Sequence, residues 1–155
     1  MEKKFNPTLS VITVVYNNVK HIERTLKSVI NQTYSAIEYI IIDGASTDGT
    51  LEIINRFKNE IDVVISEPDK GIYDAMNKGI ASAKGEWVYF MGCDDGFFDA
   101  TVLQNVSMFL SNDHDLVYGD VLWVPDEIPE QGICNPEDLV NKNINHQRIF
   151  YRKTL

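Results

Sequence analysis

The segment Glu86-Trp87-Val88-Tyr89-Phe90-Met91-Gly92-Cys93-Asp94-Asp95 constrains the fold more than any other stretch of the chain. An apolar and aromatic run follows Gly85 and stops at two adjacent carboxylates. A run of that length and type reads as a strand buried on both faces, which belongs inside a mostly parallel sheet covered by helices. The carboxylates then stand at the carboxyl end of a central strand, the edge where open α/β sheets bind ligands. Two neighbouring carboxylates repel each other and are costly there unless a cation or a hydroxyl-rich ligand meets them. Oxygen ligands point to a hard divalent metal. Taken alone, the dipeptide reads equally as a charged turn, so the other strand ends have to decide.

Leu9 to Tyr16 is a nearly continuous apolar run, punctuated by Pro7, and reads as a buried parallel strand. Asn17 and Asn18 offer turn and N-cap chemistry for a helix from about Val19 to Asn31, with Ile22, Leu26, Val29 and Ile30 on one face. Glu38 to Ile42 is the next buried strand and ends at Asp43. Asp48 is suited to cap a helix from about Gly49 to Asn59 that turns Leu51, Ile54 and Phe57 inward. Ile61 to Ser66 is a third strand, and Glu67 to Gly71 a loop. A helix from about Ile72 to Ala83 should bury Ile72, Met76, Ile80 and Ala83, with Gly85 stopping it as a C′ glycine. The opening strand is the fourth.

Beyond it, the pattern predicts a helix from about Ala100 to Leu110 and a strand near Leu116 to Tyr118. Val121 to Ile133 favours hairpin or loop because of Pro125, Pro129 and Gly132. Glu137 to Lys142 reads as a short helix and Gln147 to Tyr151 as a short strand. Strands alternating with helices give a doubly wound, mostly parallel α/β sheet with helices on both faces. Parallel strands present their carboxyl ends together, so Thr13 to Asn17, Asp43 and Asp94-Asp95 converge on one cleft.

The 155 residues, 44% of them hydrophobic, suffice for one domain, residues 1–155, with a sizeable core. The net charge of −9 argues against a nucleic-acid partner, and it means that an anionic substrate needs a bridging cation. Cys93 and Cys134 lack C-x-x-C spacing and read as reduced thiols in a cytosolic setting. No apolar run approaches a membrane span and the N-terminus has no signal-peptide core. Neither a G-x-G-x-x-G nor a Walker loop occurs, which disfavours a dinucleotide redox cofactor or a P-loop NTPase.

Several stretches, in order, resemble the family 2 glycosyltransferases of the GT-A, nucleotide-diphospho-sugar-binding fold. Ser10-Val11-Ile12-Thr13-Val14-Val15-Tyr16-Asn17 resembles the opening strand, and Ser28 to Tyr34 the Ser-x-x-x-Gln-Thr-Tyr end of the first helix. Asp43 to Thr50 resembles the Asp-Gly-(Gly/Ala)-Ser-Thr-Asp-Gly-Thr loop. Asp69 to Gly79 is typical of members associated with bacterial surface polysaccharides, and Cys93-Asp94-Asp95 stands at the DXD position. The resemblance covers Leu9 to Asp99 strongly and His146 to Arg152 weakly.

That resemblance implies an inverting, metal-dependent transfer from a nucleoside-diphosphate sugar, a UDP-sugar first, to a saccharide or lipid-linked saccharide acceptor. It implies Mn2+ or Mg2+ on Asp95 and ribose hydroxyls on Asp94. It further implies a nucleobase N–H on Asp43, Tyr16 along the base and main-chain groups from Val14. The location implied is cytoplasmic, with room for peripheral association at the inner face of the membrane. Lys70 could reach the diphosphate, against the plainer reading of a solvated loop lysine; Lys78 is a weaker candidate for the cleft. Asp48 is better a cap than a ligand, His21 a surface residue, Trp87 and Trp123 packing residues, and His146 a candidate near the donor. The family carries its general base, an Asp or Glu, in an acceptor-binding portion that would lie beyond Leu155. Within the chain Asp120 is the first suspect and Glu127 the second, neither in a matching motif. The alternatives are a catalytically incompetent nucleotide-sugar-binding fragment and a nucleotidyltransferase, whose glycine- and arginine-rich opening loop is absent.

Overall fold

The structure is a computed structural model that describes residues 8–111, 113–123, 128–130 and 146–154. The strands are β1 (Leu9–Val15), β2 (Ile37–Asp43), β3 (Val63–Ser66), β4 (Trp87–Gly92), β5 (Leu116–Tyr118), β6 (Val121–Trp123), β7 (Ile128–Glu130) and β8 (Ile149–Arg152). The helices are α1 (Ile22–Ile30), α2 (Thr50–Arg56), α3 (Ile72–Ser82) and α4 (Val102–Ser107). A six-stranded sheet runs in the order β3-β2-β1-β4-β8-β5, while β6 and β7 pair separately. β1 lies parallel to β2 on one side and to β4 on the other. β8, antiparallel to both neighbours, slots between β4 and β5.

The expected doubly wound architecture is present, and burial explains it. Alternate residues of β1 point to opposite faces. Leu9, Val11 and Val15 join Ile22, Leu26, Val29, Ile54 and Leu103 of α1, α2 and α4 in one cluster. Ile12 joins Ile40, Ile42, Val88, Phe90 and Ala75 of α3 in the other. Trp87 is part of the first cluster, as a packing residue. Edge strand β3 alternates half-buried with exposed positions, and Ile61, though buried, precedes it.

Two expectations fail on α3. Its buried face is Ala75 and Gly79, with Ala83 buried and Met76 packed against the core as expected, whereas Ile72 is 54% exposed and Ile80 37%. Small residues let the helix axis approach the sheet. A Cβ on Gly79 would stand 2.5 Å from Ile12 Cγ2, so the isoleucine methyl occupies the place of the missing side chain. Gly85 is not a C′ glycine either. Ala83 is the C-cap in extended conformation, and Gly85 passes against β1, where a Cβ would lie 2.6 Å from Ser10 N. Buried Glu38 secures this crossing. Its Oε2 accepts Ser10 Oγ and Lys84 N, both at 2.8 Å, and Ser10 Oγ accepts Gly85 N at 2.9 Å.

Helix starts shift as well. α1 begins at Ile22 because residues 18–21 form a turn in which Asn18 O accepts His21 N and Ile22 N. α2 begins at Thr50, with Gly49 at φ 99° in the N-cap position. The expected strand over Gln147 to Tyr151 is realised as a 3-10 turn, His146–Arg148, followed by β8. The predicted helix over Glu137 to Lys142, together with Glu127 and Cys134, falls outside the described residues, as do the side chains of Trp123 and His146. Among the described residues no helix is long and apolar enough to cross a membrane.

Gly85→Ala tests the crossing. The obstacle is strand backbone, which cannot rotate away, so overpacking should cost about 1–3 kcal/mol. Urea unfolding should show a lowered midpoint at unchanged slope. An unchanged midpoint would show that residue 85 tolerates a side chain.

Candidate active site at the carboxyl edge of the sheet

The sheet register brings the strand-end residues together. Val15 pairs with Asp43 across β1–β2, and Val14 with Gly92 across β1–β4. Strands spaced about 4.8 Å apart place the β2 and β4 ends about 10 Å from each other across β1. Asp43 and the Asp94-Asp95 pair therefore stand at one edge of the sheet, with Val14 in the paired strand between them and Tyr16 just beyond it.

Asp43 is fully buried. Its Oδ2 accepts Ser66 Oγ at 2.6 Å and Ser46 N at 3.1 Å. Its Oδ1 is buried with no hydrogen-bond partner. A buried carboxylate oxygen without a donor is costly, and such an orphan in a cleft signals a missing ligand donor. Beside it, Tyr16, Gly44, Pro68, Asp69 and Gly71 line a hollow of about 410 Å³. Tyr16 is exposed there, and Gly44 is pressed between the Tyr16 ring and the Asp69 carboxylate. Gly71, at φ 114°, makes the turn into α3.

At β4, Asp94 is exposed and Asp95 half-buried. Gln147 Nε2 donates to Asp95 Oδ2. That carboxylate folds back over Gly92, where a Cβ would meet it at 2.2 Å. Tyr89 in turn donates its hydroxyl to Gln147 O at 2.7 Å. Burial, and secondarily the Asp95 charge, push the Tyr89 phenol far above its ordinary range, so it stays a neutral donor. Gln147 is the residue that sequence reasoning misses, although the stretch Asn145-His146-Gln147 carries the signal. Cys93 carries a free thiol that burial raises, against a hydrogen bond from Asn18 Nδ2 at 2.9 Å, so it is held as the thiol rather than the nucleophilic thiolate.

The two loops facing each other across β1 and β2 are cross-linked. Asn17 N donates to Ser46 Oγ and Thr47 N to Asn17 Oδ1, both at 2.8 Å. Asn18 N donates to Thr50 Oγ1 at 2.9 Å and Val19 N to Asp48 Oδ2 at 3.0 Å. These bonds hold Asn17 (φ 48°) and Ala45 (φ 63°) in the left-handed region. The asparagines thus bind the neighbouring loop and do not cap α1 through their side chains. Asp48 is not the N-cap, which is Gly49 without a side-chain cap bond, but from the residue before it Asp48 Oδ1 accepts Thr50 N at 3.0 Å.

The lysines divide. Lys70 is exposed on the loop before α3. Lys78 is bound to that same loop, with Nζ 2.8 Å from Glu67 and 3.0 Å from Pro68 O, and the Glu67 hydrogen bond raises its pKa. Lys78 is therefore a loop anchor. Asp120 follows β5 on the same edge of the sheet, exposed and 3.8 Å from the buried Arg148 guanidinium.

Among the described residues no group of three or more His, Cys, Asp or Glu side chains draws together. The Asp95 carboxylate is a hard oxygen donor of the kind that Mn2+ or Mg2+ takes.

A doubly wound, mostly parallel sheet with acidic groups at its carboxyl edge is an open α/β protein of the class that binds ligands at that edge. The chain belongs to glycosyl transferase family 2, whose sequence model matches residues 10–153. It is 37% identical over 155 residues to a PGL/p-HBAD biosynthesis glycosyltransferase of Mycobacterium bovis (strain BCG / Pasteur 1173P2), covering 96% of this chain and 60% of that protein. It is 39% identical over 94 residues to TuaG of Bacillus subtilis (strain 168), named for teichuronic acid biosynthesis, covering 59% and 37%. The chain thus spans about 60% of the length of the PGL/p-HBAD biosynthesis glycosyltransferases it matches. Its GT-A fold is shared with S. aureus TarS 1-349, solved with UDP-GlcNAc, at a TM-score of 0.77 and 22% identity over 95% of this chain and 46% of that one. It is also shared with the mannosyltransferase PcManGT of Pyrobaculum calidifontis, solved with GDP-Man and Mn2+, at 0.72 and 21% over 96% and 45%.

The Asp48 contacts predict a pH signature. The Thr50 hydrogen bond, with the Val19 and Thr50 amides, holds the Asp48 carboxyl below its ordinary value. A lowered folded-state pKa stabilises above the unfolded value, and the effect is lost as pH falls through the folded one. Asp48→Asn should therefore lower Tm at pH 7, with the deficit shrinking as pH drops below the ordinary carboxylate range. A deficit that stays constant with pH would mean the charge is immaterial.

Proposed function

We propose that this chain is the donor-binding part of an inverting glycosyltransferase. It would use a nucleoside-diphosphate sugar, a UDP-sugar first, to glycosylate an acceptor hydroxyl in bacterial surface glycan synthesis. The observation that carries the reading is the unpartnered, buried Asp43 Oδ1 sharing a sheet edge with Asp94 and Asp95. Uracil N3–H is a donor of the kind that oxygen lacks, with Tyr16 beside the base. Asp94 would take the ribose hydroxyls. Main-chain groups near Val14 would meet the base and the Lys70 ammonium the diphosphate.

Asp95, oriented by Gln147, would hold Mn2+ or Mg2+. When bound, that cation would supply Lewis-acid stabilisation of the departing diphosphate. In a chain of net charge −9 it would also offset the repulsion between the diphosphate and the acidic edge. The displacement inverts the anomeric centre when an acceptor hydroxyl attacks opposite the leaving diphosphate while a general base removes its proton. Asp120 is the candidate base among the described residues, 3.8 Å from the Arg148 guanidinium. The named roles of the mycobacterial and Bacillus relatives support a glycan or glycolipid acceptor.

Calorimetry with UDP tests the metal. Affinity should be at least roughly tenfold higher in Mn2+ than in chelator, a difference of about 1.4 kcal/mol. Asp95→Ala should erase the gain and Asp94→Ala should weaken binding in part. Equal affinity with and without metal would refute the assignment of Asp95.

The base is tested separately. Asp43→Asn keeps the shape but removes the charge that accepts the nucleobase N–H. It should cost roughly 1.5–3 kcal/mol in UDP affinity, the range for a hydrogen bond to a charged group. Unchanged affinity would place the base elsewhere.

A further inference from the structure

One stripe of α1 reaches the loop after β4 at successive main-chain groups. Arg24 donates to Asp94 O, and Thr25 Oγ1 donates to Asp95 O at 2.7 Å. Ser28 Oγ accepts Phe97 N at 2.6 Å. Gln32 Nε2 donates to Asp99 O at 2.7 Å, while its Oε1 accepts Leu103 N at 3.0 Å. Positions 24, 25 and 28 share one face of α1 by their spacing, and Gln32 follows just past its end. The core side of the helix is formed by Ile22, Leu26 and Val29. The loop has no ladder of its own to satisfy these backbone groups, so the helix side chains fix its path. Its contact is close: a Cβ on Gly96 would stand 3.1 Å from Ser28 Oγ.

We infer that Thr25 and Ser28 are positioning residues for the Asp94-Asp95 pair. Their hydroxyls clamp the main chain at Asp95 and at Phe97, on either side of Gly96, and so set where the carboxylates point. Asp95 is then held by Thr25 at its carbonyl and by Gln147 at its carboxylate. Thr25 is fully buried, so its hydroxyl is confined to that bond direction. The inference rests on the reading that this pair meets a divalent cation on a nucleoside diphosphate. Displacing the pair by a fraction of an ångström would weaken the metal-dependent part of binding and leave base recognition at Asp43, on another strand, untouched.

The test uses the 155-residue chain with Thr25→Val, Ser28→Ala and the conservative Thr25→Ser. UDP affinity is measured by calorimetry in Mn2+ and in chelator, and amide hydrogen exchange over 94–99 is measured without ligand. Affinity in chelator should stay at the wild-type value. The manganese-dependent gain should fall roughly tenfold or more in Thr25→Val and Ser28→Ala, as expected for misplaced groups, and return in Thr25→Ser. Exchange at Phe97 should accelerate in Ser28→Ala, which also carries the test if Thr25→Val does not fold. Full gain in both variants would overturn the inference, and so would equal weakening with and without Mn2+. A wild type with no manganese-dependent gain would instead overturn the metal reading; unchanged exchange over 94–99 in both variants would then overturn the positioning role by itself.

Discussion

β1 is paired along its length on both sides, and the arrangement of the site depends on that double pairing. A central parallel strand has every main-chain group committed and both faces covered, so it has one register and no room to slip. Residue 15 must then oppose Asp43, and residue 14 must oppose Gly92. The acidic groups are consequently spaced by the sheet itself, and loops decide only their final orientation. The close helix on one face has the same origin. α3 can bury Ala75 and Gly79 against Ile12 because the strand beneath it cannot move.

This explains which parts of the molecule were legible in the sequence. β1, β2 and β4 were readable because a strand buried on both faces leaves an unbroken apolar run, and each ran straight into a polar residue that belongs to the site. The α3 face was misjudged because periodicity weighs large apolar residues, whereas close packing selects small ones; Ile72 and Ile80 were left partly in solvent as a result. Gly85 was read through local helix-ending chemistry when its constraint comes from Ser10, far away in sequence. Gln147 shows the same limit. It reaches Asp95 because β8 inserts antiparallel beside β4, a pairing that no local pattern near residue 147 specifies.

The two ends of the cleft handle their charges differently, and the difference follows from what holds them. Asp43 belongs to β2 itself, and its environment supplies two donors to one oxygen and none to the other. A rigid strand end with a single unmet acceptor suits recognition of a flat base edge, because such discrimination depends on a fixed hydrogen-bond direction. Asp94 and Asp95 lie past the end of β4, in a loop whose path is fixed by α1 and by the chain preceding β8. A metal and a diphosphate tolerate a range of approach but require close placement of charge.

The proposed base-binding and metal-binding ends therefore have largely separate mechanical supports in one sheet. Ser46 and Ser66 orient the Asp43 end, whereas Thr25, Ser28 and Gln147 serve the Asp94-Asp95 end. β1 is common to both, and Asn18 also joins them through Thr50 and Cys93. Substitutions that loosen β1, including the buried Ser10 and Thr13 whose hydroxyls bond Glu38 and Tyr39, should degrade both ends together. The sheet's central strand is in this sense a part of the site, although its side chains lie in the core.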